Sequence, residues 1–548
     1  MSAKIIVIGM DGADPALALK WAQEGHLPAL RSLIDRGASG VLNSTANAMS
    51  PAAWSSFATG LNPGRHGVFY FLDRKPGTYE LMHSGPRTRE GATFWRTLSD
   101  AGKRVAILHE PMTFPAEAVN GVQVCGWLAP SSDAPGYTYP PEFMSEIKRQ
   151  FPEFELHTGM TEYVRRGRYD LALQKKLASV HTKGKLARWV CEREDWDCLV
   201  TVFDETDPIS HYFWHFMDPA HPEHQPDTPQ RYDLAILDTY KAVDEEIGRL
   251  LEAAPDAHVF VLSDHGSRRN SRGPLYLKGL LRQMGLEVPR QGGGSGGASL
   301  LHSLADRLPS TLKHKAVGMF PGLASRLLTQ SAAGDIDYSQ SRAYTFWCNG
   351  CAEPWLNVAG RDPQGLVQPG AEYDELVAVI RETLLQATEA GTGEPLVKAV
   401  WRADEAYQGP HLDRAPDLLV DWTDVVVTKG LRTQYQGREI VVTEPSGEEL
   451  RRGNHRREGL LIAAGPNVPV GGVPADTGIQ DLAPTLLALL GVGVAEQLDG
   501  RVLTELVGDL AETAAAPIVQ TEPQDEPSAY TAEEEAAVEE RLKDLGYL

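Results

Sequence analysis

The 548-residue chain is poor in cysteine, has no excess of positive charge and contains no long uninterrupted apolar run. Each shortage excludes a class. Five cysteines (Cys125, Cys191, Cys198, Cys348 and Cys351) make an odd total without a disulfide framework, which agrees with a reducing compartment. "CNGC" at Cys348 to Cys351 has the spacing of a redox motif or of half a zinc site, but no second Cys pair or His cluster completes it, so it is read as structural or incidental. A formal net charge of −22 excludes sequence-independent binding to nucleic acid polymers or anionic lipid, which rests on surplus Lys and Arg. An anionic substrate must therefore meet local positive charge, such as a metal. No segment reaches the length of a membrane span, and "MSAKIIVIGMDGADP" passes from a short apolar run into a turn without a cleavage-site pattern. The expectation is a cytoplasmic protein with no membrane partner.

Short runs rich in Val, Ile and Leu are present instead: "KIIVIGMDG", "RVAILHEP", "DCLVTVFDETD", "HVFVLSDHG", "PDLLVDW" and "GLLIAAGP". They read as buried strands of a largely parallel sheet. Helical patterns such as "HLPALRSLIDRG", "TFWRTLSDAG" and "DTYKAVDEEIGRLLEAA" alternate with them, which predicts an α/β/α sandwich with ligands at the carboxyl ends of the strands. The expected division is an α/β core over 1–285 and a Gly-rich hinge with a mainly helical insertion over 286–345, either a lid or plain packing. A second part of the core follows over 346–507, then a flexible tether over 508–530 and a terminal helix over 531–548 that opens with the capping box Thr531 and Glu534. There are no internal repeats, and the sequence carries no mark of oligomeric state.

Acidic and histidine residues collect where these strands end. In "FDETDPISHYFWHF", Pro208 suits the first turn of a helix and Asp207 its cap, so Asp207 and His211 lie four apart on one face. Asp264 and His265 end "VFVLSDHGS" beside a turn glycine, Asp11 ends the first run, and His455 precedes the last strand. Singly, each is better explained by a capped turn or a solvated histidine. Together, three Asp and three His at the junctions of one sheet suit two borderline divalent metals, with zinc the best match and manganese or iron also compatible. Two such ions roughly 3.5–4 Å apart clamp an in-line displacement at phosphorus. Ser50, in "NAMSPAAWSSFATGLNPGRHGVFYF", reads locally as a residue that opens a helix with Pro51 at its first position.

The ordered set "VIGMDGADP", "SPAAWSSFATGLNPGRHGVF", "DETDPISHYFWH", "VLSDHGS", "GNHRREGLLIAAGP", "TGIQDLAPTLLALLGV" and "LGYL" resembles the type I phosphodiesterase and nucleotide pyrophosphatase family of the alkaline phosphatase superfamily. The resemblance implies an alkaline-phosphatase-like fold and a hydrolase of small-molecule phosphate esters, most simply diesters or nucleotide pyrophosphates. It makes Asp207, His211 and His455 the ligands of one metal, and Asp11, Asp264, His265 and the Ser50 oxygen those of the other. Ser50 takes the place of the family's nucleophilic hydroxyl and would carry a phospho-enzyme intermediate.

One departure concerns phosphate recognition. Pyrophosphatases of the family place an asparagine where this chain has Phe71, so the role would fall to backbone N–H groups near Ser50 or to Arg74. Trp54, Phe69, Tyr70 and Phe71 offer either an aromatic wall for a ring or core packing, and His215 either touches substrate or packs. A phosphomonoesterase is the rival within the superfamily, and a non-catalytic binder or an assembly factor using the terminal helix is the rival outside it. The sulfatase pattern and the Ser-Glu-x-Gly-His pattern of phosphoglycerate mutases are both missing.

Overall fold

The structure, a computed structural model, describes residues 4–155, 160–290, 335–347 and 351–508, with 534, 535, 537–539 and 542 near the C-terminus. These divide into two compact units. The first draws on Met1–Tyr70, Gly85–Asn270 and Arg451–Pro527, the second on Phe71–Ser84, Ser271–Leu450 and Ser528–Leu548. Of the expected insertion, 291–334 lie outside the described residues, as do Cys348 of the CNGC motif, 509–530 of the expected tether and most of the terminal helix.

The first unit is built on a nine-stranded sheet. Its nine strands, numbered in sequence together with β8 and β9 of a separate two-stranded ribbon, are β1 (Ile5–Met10), β2 (Gly37–Asn43), β3 (Val105–Glu110), β4 (Gly121–Cys125), β5 (Thr138–Tyr139), β6 (Cys198–Phe203), β7 (His258–Leu262), β8 (Gly266–Arg269), β9 (Gly453–Arg456), β10 (Glu458–Ala464) and β11 (Gly471–Gly472). Across the sheet the order is β11-β2-β10-β7-β1-β6-β3-β4-β5. β7, β1, β6, β3 and β4 are mutually parallel, whereas β10 runs antiparallel to both β7 and β2. Five of the six apolar runs in the sequence are strands of this sheet. They are buried on both faces, which is why they read as continuous apolar stretches and do not alternate.

Helices cover both faces of the sheet. On one side, α1 (Ser50–Thr59) is buried along its whole length, with Trp54 and Phe57 packed among Val7, Val200 and Leu262 from the strands and Leu482 and Leu486 from a later helix. Its sequence, "SPAAWSSFAT", holds no charged residue, so the helix has no face suited to water. Alternate strand residues such as Ile6, Ile8 and Leu199 are buried on the opposite face. The helices α2 (Tyr169–Arg193), α3 (Thr206–Met217) and α4 (Ala235–Ala253) belong to this unit as well, α2 and α3 each packing on α4.

The second unit has its own apolar core, in which Leu280, Leu356, Val377, Ile380, Leu418 and Leu431 meet. "PDLLVDW" belongs here. Its strand, Leu418–Trp422, pairs antiparallel with Val397–Arg402 and does not join the large sheet. Residues 346–450, expected to continue the core, thus fall in the second unit. An apolar run signals burial, but burial alone does not say in which sheet.

Candidate active site

The chemistry-bearing residues gather at one edge of the large sheet. β7, β1 and β6 are adjacent and parallel, so the residues after their carboxyl ends, Asp264 with His265, Asp11, and Asp207 four beyond Phe203, arrive side by side. β10 runs the other way, so the residues just before its start reach this same edge, and that is where His455 lies. The ribbon of β8 and β9 fixes it there, with His455 registered opposite Ser267, two residues beyond His265. β2 runs antiparallel to β10 and therefore leaves the sheet at this edge too, delivering the chain to Ser50.

Local devices hold each group. Gly12 turns after β1 with φ 66°, and its N–H donates to Asp264 Oδ1 at 3.1 Å. A Cβ there would stand 2.8 Å from Asp207 Oδ1, so the turn admits only glycine. Thr206 Oγ1 donates to the Asp11 carbonyl and Ser267 Oγ to the Gly12 carbonyl at 2.7 Å. Asp207 sits in the first turn of α3 one position inside Thr206, with Glu205 at the cap position expected for Asp207, and His211 stands one turn later. Ser50 is likewise the first helical residue of α1, and Met49 takes the cap position. The offset of one residue leaves the Ser50 side chain free of capping, and its Oγ lies 3.2 Å from His265 Nε2.

The three histidines share one arrangement. Nδ1 of His211 lies 2.9 Å from the Gly453 carbonyl, Nδ1 of His455 2.8 Å from that of Ala48, and Nδ1 of His265 3.1 Å from that of Gly266. A carbonyl only accepts, so each Nδ1 carries the proton and each Nε2 presents a lone pair inward. Those Nε2 atoms meet the carboxylates. His211 is 3.2 Å and His455 3.4 Å from Asp207, and His265 is 3.4 Å from Asp264 and 3.7 Å from Asp11. His211 Nε2 and His455 Nε2 are 3.1 Å apart, two lone pairs that repel unless a cation lies between them.

Charge in the cluster is uneven. Burial, with the negative charges of Asp264 and Asp207 adding to it, raises Asp11 well above the usual carboxylate range. Burial also raises Asp264. Burial opposes ionisation of Asp207 as well, but whenever His211 or His455 carries a proton on Nε2 its charge outweighs burial and holds the carboxyl well below the ordinary value. Burial lowers His455 and takes His265 down to about 4, so both rings are neutral at pH 7. Asp11 Oδ1 and Asp264 Oδ2 are buried and accept no hydrogen bond. Neutral imidazoles with oriented lone pairs, and single carboxylate oxygens without a hydrogen-bond donor, make a donor set suited to a divalent ion. Among the described residues, two groups are close enough to hold an ion: Asp207, His211 and His455, and Asp11, Asp207 and His265, with Asp207 common to both.

The residues expected to touch substrate are placed differently. Trp54 is fully buried beneath β1, and its Nε1–H donates to Asp11 Oδ2 at 3.3 Å. It orients a carboxylate, a role no sequence signal marked. His215 is buried one turn beyond His211, belongs to neither of these groups, and lies against Phe216. Phe71 and Arg74 fall in the second unit. There Arg74 is ion-paired with Asp362, donates to Tyr344 Oη and the Asp413 carbonyl at 3.0 Å each, and lies over the Trp355 ring.

A family model described as type I phosphodiesterase / nucleotide pyrophosphatase matches residues 5–434. The chain belongs to this family. As a member of it, the protein is a phosphoester hydrolase of the alkaline phosphatase superfamily. His455 lies beyond the matched stretch and enters the site through the direction of β10 and the pairing of β9 with β8. Among solved structures the chain is similar to phosphonoacetate hydrolase from Sinorhizobium meliloti 1021 in complex with phosphonoformate, with 15% identity, a TM-score of 0.54, and 89% of this chain and 96% of that one covered. The complex of that enzyme with phosphonoacetate gives a TM-score of 0.53 at the same identity and coverage. Human ectonucleotide pyrophosphatase / phosphodiesterase 5 is similar at 11% identity and a TM-score of 0.44, with 92% of this chain and 98% of that one covered. The first two show a shared alkaline-phosphatase-like fold. No curated protein gives a significant sequence match.

Proposed function

We propose that the protein hydrolyses phosphate diesters or nucleotide pyrophosphates with Ser50 as nucleophile at a centre for two divalent ions, zinc fitting the donor set best. The observation that carries this reading is the Ser50 hydroxyl, buried at the start of α1 and 3.2 Å from His265 Nε2, beside two groups able to hold a cation. Asp207, His211 and His455 would hold one ion, and Asp11, Asp264, His265 and Ser50 Oγ the other. When bound, the ions supply positive charge to the phosphate and favour ionisation of the serine hydroxyl.

The chain's own groups do the rest. The N-terminal turn of α1 directs backbone N–H groups and the positive end of the helix dipole toward an anion held at Ser50. Ser50 Oγ attacks phosphorus, the Oγ–P bond forms as the bond to the leaving oxygen breaks, and the leaving oxygen takes up a proton. Water then attacks phosphorus from the opposite side, the Oγ–P bond breaks, and Ser50 regains its proton. Nδ1–H donation to the carbonyls of Gly453, Ala48 and Gly266 keeps the three imidazoles in one tautomer throughout.

The test compares a chromogenic diester, a monoester and a sulfate ester with the metal-loaded protein. The diester is expected to turn over fastest, with Ser50→Ala lowering turnover by about 10³-fold or more. Undiminished diester cleavage by Ser50→Ala would overturn the covalent route. Activity that survives complete chelation would overturn the metal centre.

A further inference from the structure

Ser50 is reached through a strained peptide. Ala48, two residues before it, has φ 48°, a left-handed conformation that the Cβ of an alanine makes costly. Met49 is extended, and Ser50 then starts α1. The kink at Ala48 thus sets the direction in which α1 begins. It also serves a second group, because the Ala48 carbonyl is the one that faces His455 Nδ1 at 2.8 Å. One peptide therefore aims both a ligand proposed for one ion and the arm that carries the nucleophile.

Hydrogen bonds hold the kink from two sides. The Ser44 N–H donates to the Arg457 carbonyl at 2.9 Å, which extends the ladder of β2 and β10 by one step, and the Ala48 N–H donates to the Thr45 carbonyl at 3.0 Å. Asn47 adds an anchor on the other side. Its Nδ2 donates to the Phe69 carbonyl at 2.5 Å, and its Oδ1 accepts from Thr45 Oγ1 at 2.8 Å. Phe69 is in turn fixed relative to α1. The Val68 N–H donates to His66 Nδ1 at 3.2 Å, so the ring proton sits on Nε2 and is donated to Ser56 Oγ at 3.0 Å. Ser56 lies six residues beyond Ser50 on α1, and Ser56, His66 and Phe69 are all buried. Residues 66–69 grip α1 through Ser56 and the loop ahead of α1 through Asn47, with Ser50 between the two grips.

We propose that Asn47 is a positioning residue for both halves of the site: anchored to Phe69, it keeps Ala48 left-handed, so that one carbonyl orients His455 while Ser50 Oγ is delivered beside His265. The inference rests on Ser50 as nucleophile at a two-ion centre and adds that nucleophile and ion ligand are set together. Releasing Asn47 lets Ala48 relax toward the negative φ that alanine favours, which turns its carbonyl away from His455 and moves Ser50 in the same step.

The experiment is a double-mutant cycle of Asn47→Ala and Ala48→Gly in the full chain, read by zinc affinity against a fluorescent chelator, by single-turnover cleavage of a chromogenic diester and by circular dichroism for folding. Asn47→Ala is expected to weaken one of two zinc sites about tenfold and to slow the single turnover about tenfold, with the steady-state KM within about twofold of wild type. In the Ala48→Gly background the same substitution is expected to cost only about twofold in each, since glycine enters the left-handed region without the Cβ penalty. A purely structural role predicts the reverse, because glycine loosens the loop further and the losses add or compound. Equal or larger losses in the Ala48→Gly background, or unchanged zinc affinity and rate in Asn47→Ala, overturn the proposal. Should Asn47→Ala fail to fold, Thr45→Val, which removes the second bond to the Asn47 amide, takes its place in the cycle with the same expected signs. Acid quench and mass spectrometry of the wild type separate the two failures. Absence of a phosphoryl adduct on Ser50 overturns the nucleophile, whereas an adduct on Ser50 together with an unshifted cycle overturns the role of Asn47 alone.

Discussion

At the scale of single residues, the site is defined by what each side chain is prevented from doing. His211, His455 and His265 cannot turn or change tautomer while Nδ1 is tied to a carbonyl, so their basic nitrogens are fixed before any ligand arrives. Trp54 contributes one directed N–H to Asp11. Replacing Trp54 with Phe keeps most of the ring volume and removes that bond, which is worth about 1 kcal/mol, so kcat/KM is expected to fall about fivefold in steady-state assays. Metal uptake should respond to pH in a direction set by Asp11. Its raised carboxyl must lose a proton before it can bind an ion, so zinc affinity is expected to fall on acidification from pH 7 toward 5, earlier than for an unperturbed aspartate. Isothermal titration in buffers of different ionisation enthalpy would register the released protons.

At the scale of elements, close approach and strand direction decide the geometry. Gly453 starts β9 where α3 passes nearby, and a Cβ there would lie 2.3 Å from the Ser210 carbonyl oxygen. Gly453→Ala must therefore push β9 away from α3, separating His455 from His211 although neither is altered. The expected result is a folded protein with weaker zinc binding and diester turnover reduced at least about tenfold. In the second unit, Glu389 accepts from the backbone N–H groups of Gly391, Thr392, Thr428 and Lys429 at 2.6–3.2 Å. Burial opposes its ionisation, but these donors hold it at about 2. A depressed carboxyl stabilises the fold above its unfolded pKa, and that contribution is lost as pH falls through the folded value. Glu389→Gln is thus expected to cost about 1 kcal/mol near pH 7 in urea unfolding, with the gap to wild type closing as pH drops from 4 toward 2.

At the scale of the whole molecule, ions that bind the native state alone stabilise it by mass action. Removing them with a chelator is expected to lower the thermal midpoint, with zinc restoring it in a concentration-dependent way. Ser50→Ala is expected to keep most of this response, because the six side chains proposed as ligands remain. The sequence by itself determined the local half of the site. Apolar runs ending in Asp marked β1, β6 and β7, because a strand buried on both faces needs continuous apolar residues and the turn beyond it tolerates polar ones. The spacing of Asp207 and His211 was equally readable, since four residues make one helical turn. What only the tertiary structure decided depends on pairing between distant segments. The antiparallel course of β10 carries His455 to the edge occupied by His265, 190 residues earlier in the chain, and no local pattern encodes strand direction. The placement of "PDLLVDW" in the second unit and the burial of Lys176 and Lys183 were hidden for this same reason. Periodicity records that a residue is covered, and only the assembled fold determines what covers it.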